Sequence, residues 1–535
     1  MIFLVEIKLF KKFYLIYSTT NLTQSKNNYS THSWIDYDKI ETSYEIISKK
    51  DGCRMQVLSW LLGSVMVINF ALAFTIIFLE RKNASSTWAW LMVLFFIPVI
   101  GFLLYLLFGR RLSGQVFTWD TKSRLGVEKQ VEEQIASLKN ESLPPKQNML
   151  KKYKNFLYLH LKHNDAVYTQ NNQVKIFTDG TEKFNSLIQD LENATDHIHL
   201  LYYIIRHDHL GTQIANVLIK KAKEGVEVRL LYDDMGSRSL SRRFIKRMED
   251  ANIQVGAFFP PKIPKINFKV NFRNHRKLAI IDGKIGYIGG FNIGDEYLGK
   301  SAKFGYWRDT HLRVDGDATR MMQTRFILDW NQASRNHVKY NDRYFQGANG
   351  TAGDVGIQVV SSGPDQEWEQ IKYGYIKLIL SAKEYVYIQT PYFIPDESLL
   401  DALKIAAMSG VKIKIMIPNK PDHIFVYWAT LSHVGELLNE GAEIYLYQNG
   451  FLHAKTIVVD GELSSVGTAN IDVRSFRLNF EVNAFLYDKK MALSLAESFE
   501  KDVLLSTQMT QQLYNKRSLG IKFKESVSRL ISPIL

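Results

Sequence analysis

The sequence predicts an α/β protein of two similar halves forming a pseudo-symmetric α/β sandwich, preceded by a two-helix transmembrane hairpin. Two observations predict this: a motif that occurs twice at matching spacing, and two long uncharged apolar runs ahead of both copies. The first copy is Asn274-His275-Arg276-Lys277-Leu278-Ala279-Ile280-Ile281-Asp282-Gly283, followed by Gly289-Gly290-Phe291-Asn292. The second is His453-Ala454-Lys455-Thr456-Ile457-Val458-Val459-Asp460-Gly461, followed by Gly467-Thr468-Ala469-Asn470. The offsets agree: His to Lys two, Lys to Asp five, Asp to the first Gly seven, Gly to Asn three.

Between Lys and Asp both copies are largely apolar and mostly β-branched, which predicts a buried strand running from His to Asp. Side chains two apart on a strand share a face, so His and Lys point into one site. The Asp closes the strand at a turn marked by Gly. Neutral imidazole is a nucleophile and proton carrier near neutral pH. A lysine ammonium beside it is a fixed positive charge suited to a phosphate oxygen. Two copies supply one histidine to attack phosphorus and another to protonate the leaving oxygen.

The 535 residues, 46% hydrophobic, suffice for two fused half-domains plus extras. A net charge of +13 points to anionic partners, nucleic acid or acidic lipid. The single cysteine, Cys53, excludes an internal disulfide and a cysteine-rich metal site.

Residues 1–54 read as an N-terminal extension. Lys8, Lys11 and Lys12 interrupt its apolar start and no small-residue cleavage site follows, which argues against a signal peptide. Either it lies upstream of a natural start at Met55, or it forms an amphipathic surface helix. Residues 55–110 form the hairpin. Met55–Leu79 is 25 residues without a formal charge and Trp88–Phe108 is 21 more. At about 1.5 Å per residue, either spans a hydrocarbon core of ~30 Å. Trp88 and Trp90 fit an interfacial belt, and Pro98 and Gly101 are candidates to kink the second helix. Lys49, Lys50 and Arg54 precede the first span and Arg110 and Arg111 follow the second, while Arg81 and Lys82 in the loop are offset by Glu80. That bias puts both ends, and the catalytic region, on the cytoplasmic side of the cell membrane.

Residues 111–170 are polar, broken at Pro144-Pro145, and read as helical connectors. The first lobe, residues 171–337, reads as strand His197–Ile205, helix Thr212–Gly225 and strand Val226–Tyr232, closed by Asp233-Asp234-Met235-Gly236. Residues 338–355, with Gly347, Gly350 and Gly353, join the lobes. The second lobe and tail, residues 356–535, repeat the order: strand Tyr385–Ile394, helix Ser398–Gly410, strand Val411–Ile417. In each half the His-Lys strand follows.

His197, His199, His207 and His209 invite a metal reading, but strand alternation and a following loop explain them and no carboxylate or cysteine framework accompanies them. Asp233 and Asp234 read as turn residues. The basic run Arg238, Arg242, Arg243, Lys246, Arg247, Lys262, Lys265, Lys269 and Arg273 is a solvated face or a lipid contact. Anionic headgroups attract such residues at about 1 kcal/mol each. The interleaved Phe258, Phe259, Phe268 and Phe272 are core or an acyl-chain entry.

The paired motifs resemble the His-Lys-Asp motifs of the phospholipase D superfamily. The stretch from Glu80-Arg81-Lys82 through Ser85-Ser86-Thr87-Trp88-Ala89-Trp90 to Phe108-Gly109-Arg110 further resembles the N-terminal membrane segment of bacterial cardiolipin synthases. The resemblance runs from about residue 75 to the C-terminus. It implies two phospholipase D-like lobes and a phosphatidyltransferase that joins two phosphatidylglycerol molecules into cardiolipin and glycerol. It implies His275 as nucleophile through a phosphatidyl-histidine, His453 as acid and base, and Lys277 and Lys455 on the non-bridging oxygens. Asn292 and Asn470 would assist them. Asp282 and Asp460 match the motif aspartates; lying at the far end of the strand, they are expected to stabilise the site rather than touch the rings. By the same resemblance Asp309, in Trp307-Arg308-Asp309, and Glu481, in Asn479-Phe480-Glu481, are the ring partners. No metal or other cofactor is expected, because two lysines carry the positive charge. The implied partners are phosphatidylglycerol and anionic membrane lipid, not nucleic acid; a homo-oligomer stays open. Hydrolysis of a phosphodiester on the same fold, transfer to another acceptor, and a membrane scaffold are the competing readings.

Overall fold

A computed structural model describes residues 37–78, 84–105, 109, 121–140, 148–260, 271–347 and 353–531 of the chain. It forms two compact units, residues 1–103 and 104–535. In the first, α1 (Tyr37–Phe78) is one continuous helix of 42 residues that takes in residues 37–54, while residues 1–36 of the expected extension lie outside the described residues. Its part Met55–Phe78 is long and apolar enough to cross a membrane by length and composition. Among the described residues no second helix reaches that length, and the expected second span is described only as two shorter helices. Helix α2 (Ala84–Phe96) stops at Ile97 and α3 (Pro98–Leu104) resumes beyond it. Pro98 supplies no N–H and crowds the preceding turn. Bonds from Ile97 N–H to the Val93 carbonyl (3.1 Å) and from Gly101 N–H to the Ile97 carbonyl (2.5 Å) carry the chain across the bend. Residues 106–108 lie outside the described residues, as do Glu80, Arg81, Lys82, Arg110 and Arg111, on which the orientation argument drew. Asn69 of α1 donates to the Leu94 carbonyl of α2 at 3.2 Å, so the two apolar helices touch.

The second unit opens with α4 (Thr121–Lys139) and α5 (Lys154–Asn164). The first lobe follows: β1 (Asn172–Phe177), α6 (Gly180–Glu192), β2 (His197–Tyr202), α7 (His209–Lys223), β3 (Glu227–Asp233), α8 (Arg242–Glu249), β4 (Gln254–Phe258), β5 (Leu278–Ile281), β6 (Ile285–Gly289), β7 (His311–Gly316) and α9 (Thr319–Ala333). The second contains β8 (Gly356–Ser362), α10 (Gln370–Ser381), β9 (Tyr385–Gln389), α11 (Glu397–Met408), β10 (Lys412–Pro418), α12 (Ile424–Asn439), β11 (Glu443–Tyr447), β12 (Thr456–Val459), β13 (Leu463–Gly467), β14 (Asn479–Tyr487), α13 (Lys489–Val503), β15 (Ser506–Met509) and α14 (Leu519–Ile531). The first sheet runs β1-β7-β6-β5-β2-β3-β4; the second runs β8-β14-β13-β12-β9-β10-β11, with β15 and the short strand Tyr168–Thr169 at its edges. In each, three parallel strands (β2, β3, β4; β9, β10, β11) adjoin antiparallel ones. The predicted repeat of strand, helix, strand and motif strand is therefore present in both halves.

One apolar cluster joins the two sheets: Leu201, Ile280, Ile288 and Leu312 of the first meet Val359, Val458, Val466 and Val482 of the second. α9 and α13 close this layer through Met322, Phe326, Ala492 and Leu495. Outer clusters bury α6 and α7 on the first sheet, and α10, α11 and α12 on the second. The segment expected as helical connectors is helical at α4 and α5 and also packs on that outer layer, because Phe156, Leu157 and Leu161 of α5 are buried against the second sheet. The expected strand Tyr385–Ile394 is interrupted: β9 ends at Gln389, Thr390-Pro391 leaves the sheet, and Phe393–Ile394 pairs with Ile471–Asp472 instead. Proline has no N–H for the ladder.

Candidate active site

Each motif leads into a hairpin, β5–β6 or β12–β13. The turns carry Asp282 (φ 52) and Gly283 (φ 63), and Asp460 (φ 50) and Gly461 (φ 61). Positive φ at both central residues is what the mirror-image hairpin turns need, and Asp-Gly supplies it. The ladder starts only after the lysine, at Leu278 and Thr456, so the strand expected from His to Asp is shorter than that and His and Lys sit just ahead of it. Their backbone is held by the opposite lobe. Arg273–Asn274 pairs in parallel with Asn479–Phe480, and His275 N–H donates to the Phe480 carbonyl at 2.9 Å. In mirror fashion, Phe451–Leu452 pairs with Trp307–Arg308, and His453 N–H donates to the Arg308 carbonyl at 2.7 Å.

This exchange places a carboxylate from each lobe on the other lobe's histidine. His275 Nδ1 lies 3.0 and 3.1 Å from the two Glu481 oxygens. His453 Nδ1 lies 2.6 Å from Asp309 Oδ2. Both acids are fully buried. Burial alone would raise them, but His275 and Lys277 hold Glu481 below the usual range, and Lys455 and His453 do the same to Asp309. With Nδ1 committed to a carboxylate, each ring keeps Nε2 as its working nitrogen.

Lys277 Nζ donates to the His275 carbonyl at 2.5 Å. Lys455 Nζ bonds the His453 carbonyl and lies 2.9 Å from His453 Nδ1. Burial pulls Lys277 down to about 7 and Lys455 down to about 8, against the opposite pull of Glu481 and Asp309. Burial likewise lowers both histidines, His453 to about 4. The Lys455 charge adds to the lowering at His275, and the Lys277 charge at His453. The two motifs therefore act on one shared electrostatic site.

The motif aspartates sit away from the rings. Asp282 accepts from the amides of Thr195 (2.9 Å), Asp196 (2.8 Å) and His197 (3.0 Å). Asp460 accepts from those of Lys383 (2.8 Å), Glu384 (2.9 Å) and Tyr385 (2.9 Å). Each pins the start of the neighbouring parallel strand to the motif hairpin. Asn292 accepts from Ile204 N–H (3.1 Å) and donates to Tyr297 Oη (3.1 Å); Asn470 donates to Asp472 (3.2 Å).

Four supporting residues escaped sequence reasoning. Arg276, between the first His and Lys, is buried and grips both Asp329 oxygens (2.7 and 2.8 Å), the Glu481 carbonyl (3.0 Å) and the Ser362 carbonyl (3.1 Å). A charge between the first His and Lys, where the second motif has Ala454, was the available signal. Thr468 Oγ1 donates to Glu481 Oε2 at 2.5 Å. Its counterpart Gly290 leaves room for the other acid, since a Cβ there would lie 2.0 Å from Asp309 Oδ1. Asp233, read as a turn residue, does cap its turn at Met235 and Gly236 (3.0 and 2.9 Å), but its second oxygen also accepts Asn274 N–H at 2.8 Å.

The other singled-out residues have structural places. His197 bonds Asp196 and His199 bonds Gln323 and Arg229, while His207 and His209 are exposed beyond the strand. Among the described residues no group of three His, Cys, Asp or Glu could hold a metal. Phe258, Phe259 and Phe272 are buried in the inter-sheet core, which is the core reading of that series. Phe268, Lys262, Lys265 and Lys269 lie outside the described residues.

Two duplicated lobes sharing His-Lys pairs define a phospholipase D-like protein. A family model described as "Cardiolipin synthase, PLD-like domain" matches residues 187–304 and 375–503, and one described as "Phospholipase_D-nuclease N-terminal" matches residues 67–110. The chain is 63% identical over 482 residues to a cardiolipin synthase of Oceanobacillus iheyensis, covering 90% of this chain and 100% of that one. It is 56% identical to one from Listeria innocua (90% and 100% covered) and 55% identical to one from Staphylococcus aureus (90% and 97% covered). The crystal structure of phosphatidylserine synthase from Haemophilus influenzae shares the fold, with a TM-score of 0.56 at 15% identity over 73% of this chain and 100% of that chain. The chain belongs to the cardiolipin synthase family.

Proposed function

We propose that the protein transfers a phosphatidyl group between two phosphatidylglycerol molecules, giving cardiolipin and glycerol. His275 Nε2 attacks phosphorus and the bond to the headgroup glycerol oxygen breaks, leaving a phosphatidyl-histidine. His453, taking up a proton on Nε2 when the phosphate anion binds beside it, gives that oxygen its proton. It then takes the proton of a second phosphatidylglycerol hydroxyl, whose oxygen attacks phosphorus and releases His275. Lys277 and Lys455 hold the non-bridging oxygens as charge builds on them. The unused amide hydrogens of Asn292 and Asn470 assist, and Asp282 and Asp460 keep the motif hairpins in register. Two lysines meet the charge requirement, so no metal is needed.

The observation that carries this reading is the exchange of carboxylates between lobes, which leaves two oriented imidazoles and two ammonium groups in one electrostatic field. In the same reading Met55–Phe78 and the bent run Trp88–Phe108 cross the cell membrane as a hairpin, with both ends and the catalytic unit cytoplasmic. The remaining divisions are an extension at 1–54, a connector at 111–170, lobes at 171–337 and 356–535, and a join at 338–355.

Membranes holding the protein and labelled phosphatidylglycerol test the reaction. Diphosphatidylglycerol with free glycerol is the expected product pair; phosphatidic acid alone would mean hydrolysis. EDTA should leave the rate unchanged, and inhibition reversed by zinc would overturn the metal-free scheme.

A further inference from the structure

Helix α14 is packed inside out. Glu525 and Ser528, 4% and 1% exposed, face the protein, while Leu519, Phe523 and Leu530 are 84%, 70% and 82% exposed. Positions 519, 523, 527 and 530 fall on one stripe at helical spacing, and Val527 completes it as another exposed apolar side chain. The inward contacts are ionic: Arg517 pairs with Glu525, and Arg529 reaches Glu436 of α12 at 2.6 Å. A helix attached through its polar face, with its apolar face outward, is built to meet something apolar.

Two features say what. Lys522 and Lys524 are exposed and flank the stripe on either side, the arrangement of an interfacial helix that sinks apolar side chains between headgroups and raises lysines to the phosphates. The neighbouring α12 extends the surface: Lys524 Nζ sits 5.5 Å from the Trp428 ring, and Ile424 and Phe425 in the first turn of α12 are exposed. That turn borders a small cleft lined by Pro391, Tyr392, Pro421, Asp422 and Tyr427. Asp422 bonds Tyr392 Oη and is one of the charges acting on Lys455, so the apolar surface continues to the rim of the site.

We infer that α14, with the first turn of α12, is a membrane-docking surface that lies in the interface of an anionic bilayer and brings the rim of the site against its lipids. This surface is additional to the apolar helices of the first unit. Of the tests below, only the activity arm rests on the transferase reading.

The full chain carrying Cys53→Ser and Phe523→Cys, labelled with an environment-sensitive dye at position 523, is reconstituted into vesicles of phosphatidylglycerol and phosphatidylcholine. The expected result is a blue-shifted emission quenched by lipids spin-labelled near the headgroup, weakening in pure phosphatidylcholine and on Lys522→Glu/Lys524→Glu substitution. A dye that reports water in both vesicles overturns the proposal. So does a shielded dye that the lipid quencher cannot reach, which would mean a second copy of the chain covers the stripe. In the activity arm, Phe523→Glu/Leu530→Glu should lower turnover of bilayer phosphatidylglycerol about tenfold and leave a short-chain soluble analogue unaffected. Equal loss on both substrates would overturn docking as the cause. These side chains are exposed, so an unchanged unfolding midpoint accompanies either outcome.

Discussion

His275 and His453 occupy corresponding places in their lobes, yet their surroundings differ. His275 is held by the longer acid, Glu481, whose carboxylate is itself steadied by the Thr468 hydroxyl and whose backbone is gripped by Arg276. His453 is held by the shorter acid, Asp309, which fills the space that Gly290 leaves and is steadied by Thr310 N–H at 2.7 Å. Both lysines bond the carbonyl of their own histidine, but Lys455 also lies against the His453 ring nitrogen, whereas Lys277 lies over the Tyr203 ring. Tyr203 packs beside His275 and Trp307 beside His453. A duplicated scaffold thus gives the two imidazoles different partner sets, which suits the two roles proposed for them.

The largest effect should come from removing either ring. His275→Ala and His453→Ala should each abolish cardiolipin formation, since positioned acid–base groups contribute about 10²–10⁴-fold and a missing nucleophile more. A phosphatidyl ester of p-nitrophenol separates the two jobs, because that leaving group departs without a proton. His453→Ala should keep a burst of p-nitrophenol and His275→Ala should show none. The reverse pattern would exchange the roles.

Next come the residues beneath the acids. Gly290→Ala puts a Cβ 2.0 Å from Asp309 Oδ1 and must displace that carboxylate from His453. A loss of about 10²-fold or more in kcat is expected. Thr468→Ala removes one bond from a buried carboxylate, worth about 1–3 kcal/mol, or about five- to a hundredfold in rate. Thr468→Ser should restore most of it. If Gly290→Ala proves milder than Thr468→Ala, the fit of acid length to the facing residue is not what distinguishes the half-sites.

The lysines give a pH test of the same contrast. Burial favours the neutral amine, so activity should fall as pH rises through about 7, for Lys277, and about 8, for Lys455, well below the ordinary 10.5. The expected measurement is a basic limb in kcat/KM on a short-chain substrate. Lys455→Arg should remove the upper part of that limb and Lys277→Arg the lower, because guanidinium stays charged. Stability should move the other way. Between about 8 and 10 the unfolded lysines still hold protons that the folded ones have lost, so the unfolding midpoint should rise with pH over that window.

These contrasts mark where sequence reasoning reached and where it stopped. The offsets of His, Lys, Asp, Gly and Asn exposed both hairpins, because an Asp-Gly turn and a β-branched run are local properties. Resemblance found Asp309 and Glu481, but not that each serves the opposite lobe. That exchange depends on Arg273–Asn274 pairing with Asn479–Phe480, a contact between distant segments with no local signature. Arg276 was visible as a charge where the second motif has Ala454; its partner Asp329, on α9, was not. Pro98 was legible as a place for the second apolar run to bend, and the helix does break there, between Phe96 and Pro98. Residues 111–170 were legible as helical connectors, but not that α5 packs on the second sheet, because its apolar positions are few and spaced to serve one buried face.

The smallest effect on rate, and the clearest on stability, is expected at the motif aspartates. Asp282 and Asp460 each gather three successive backbone amides, and neither side chain bonds an imidazole. An ionised carboxylate taking amide hydrogens contributes about 1.5–3 kcal/mol per bond at most, and water replaces part of it at these half-buried turns. Asp282→Ala and Asp460→Ala should therefore lower the unfolding midpoint by several degrees while kcat falls less than in any variant above. Burial of Asp282 raises its carboxyl, but the amides of Asp196, Thr195 and His197 outweigh that and hold it below its ordinary value, so its contribution is present at neutral pH and fades as pH drops through the acid range. The stability gap between wild type and Asp282→Ala should close on acidification. A gap that persists in acid, or a kcat loss matching that of Thr468→Ala, would place this aspartate in the chemistry after all and erase the distinction between residues that align the hairpins and residues that work on phosphorus.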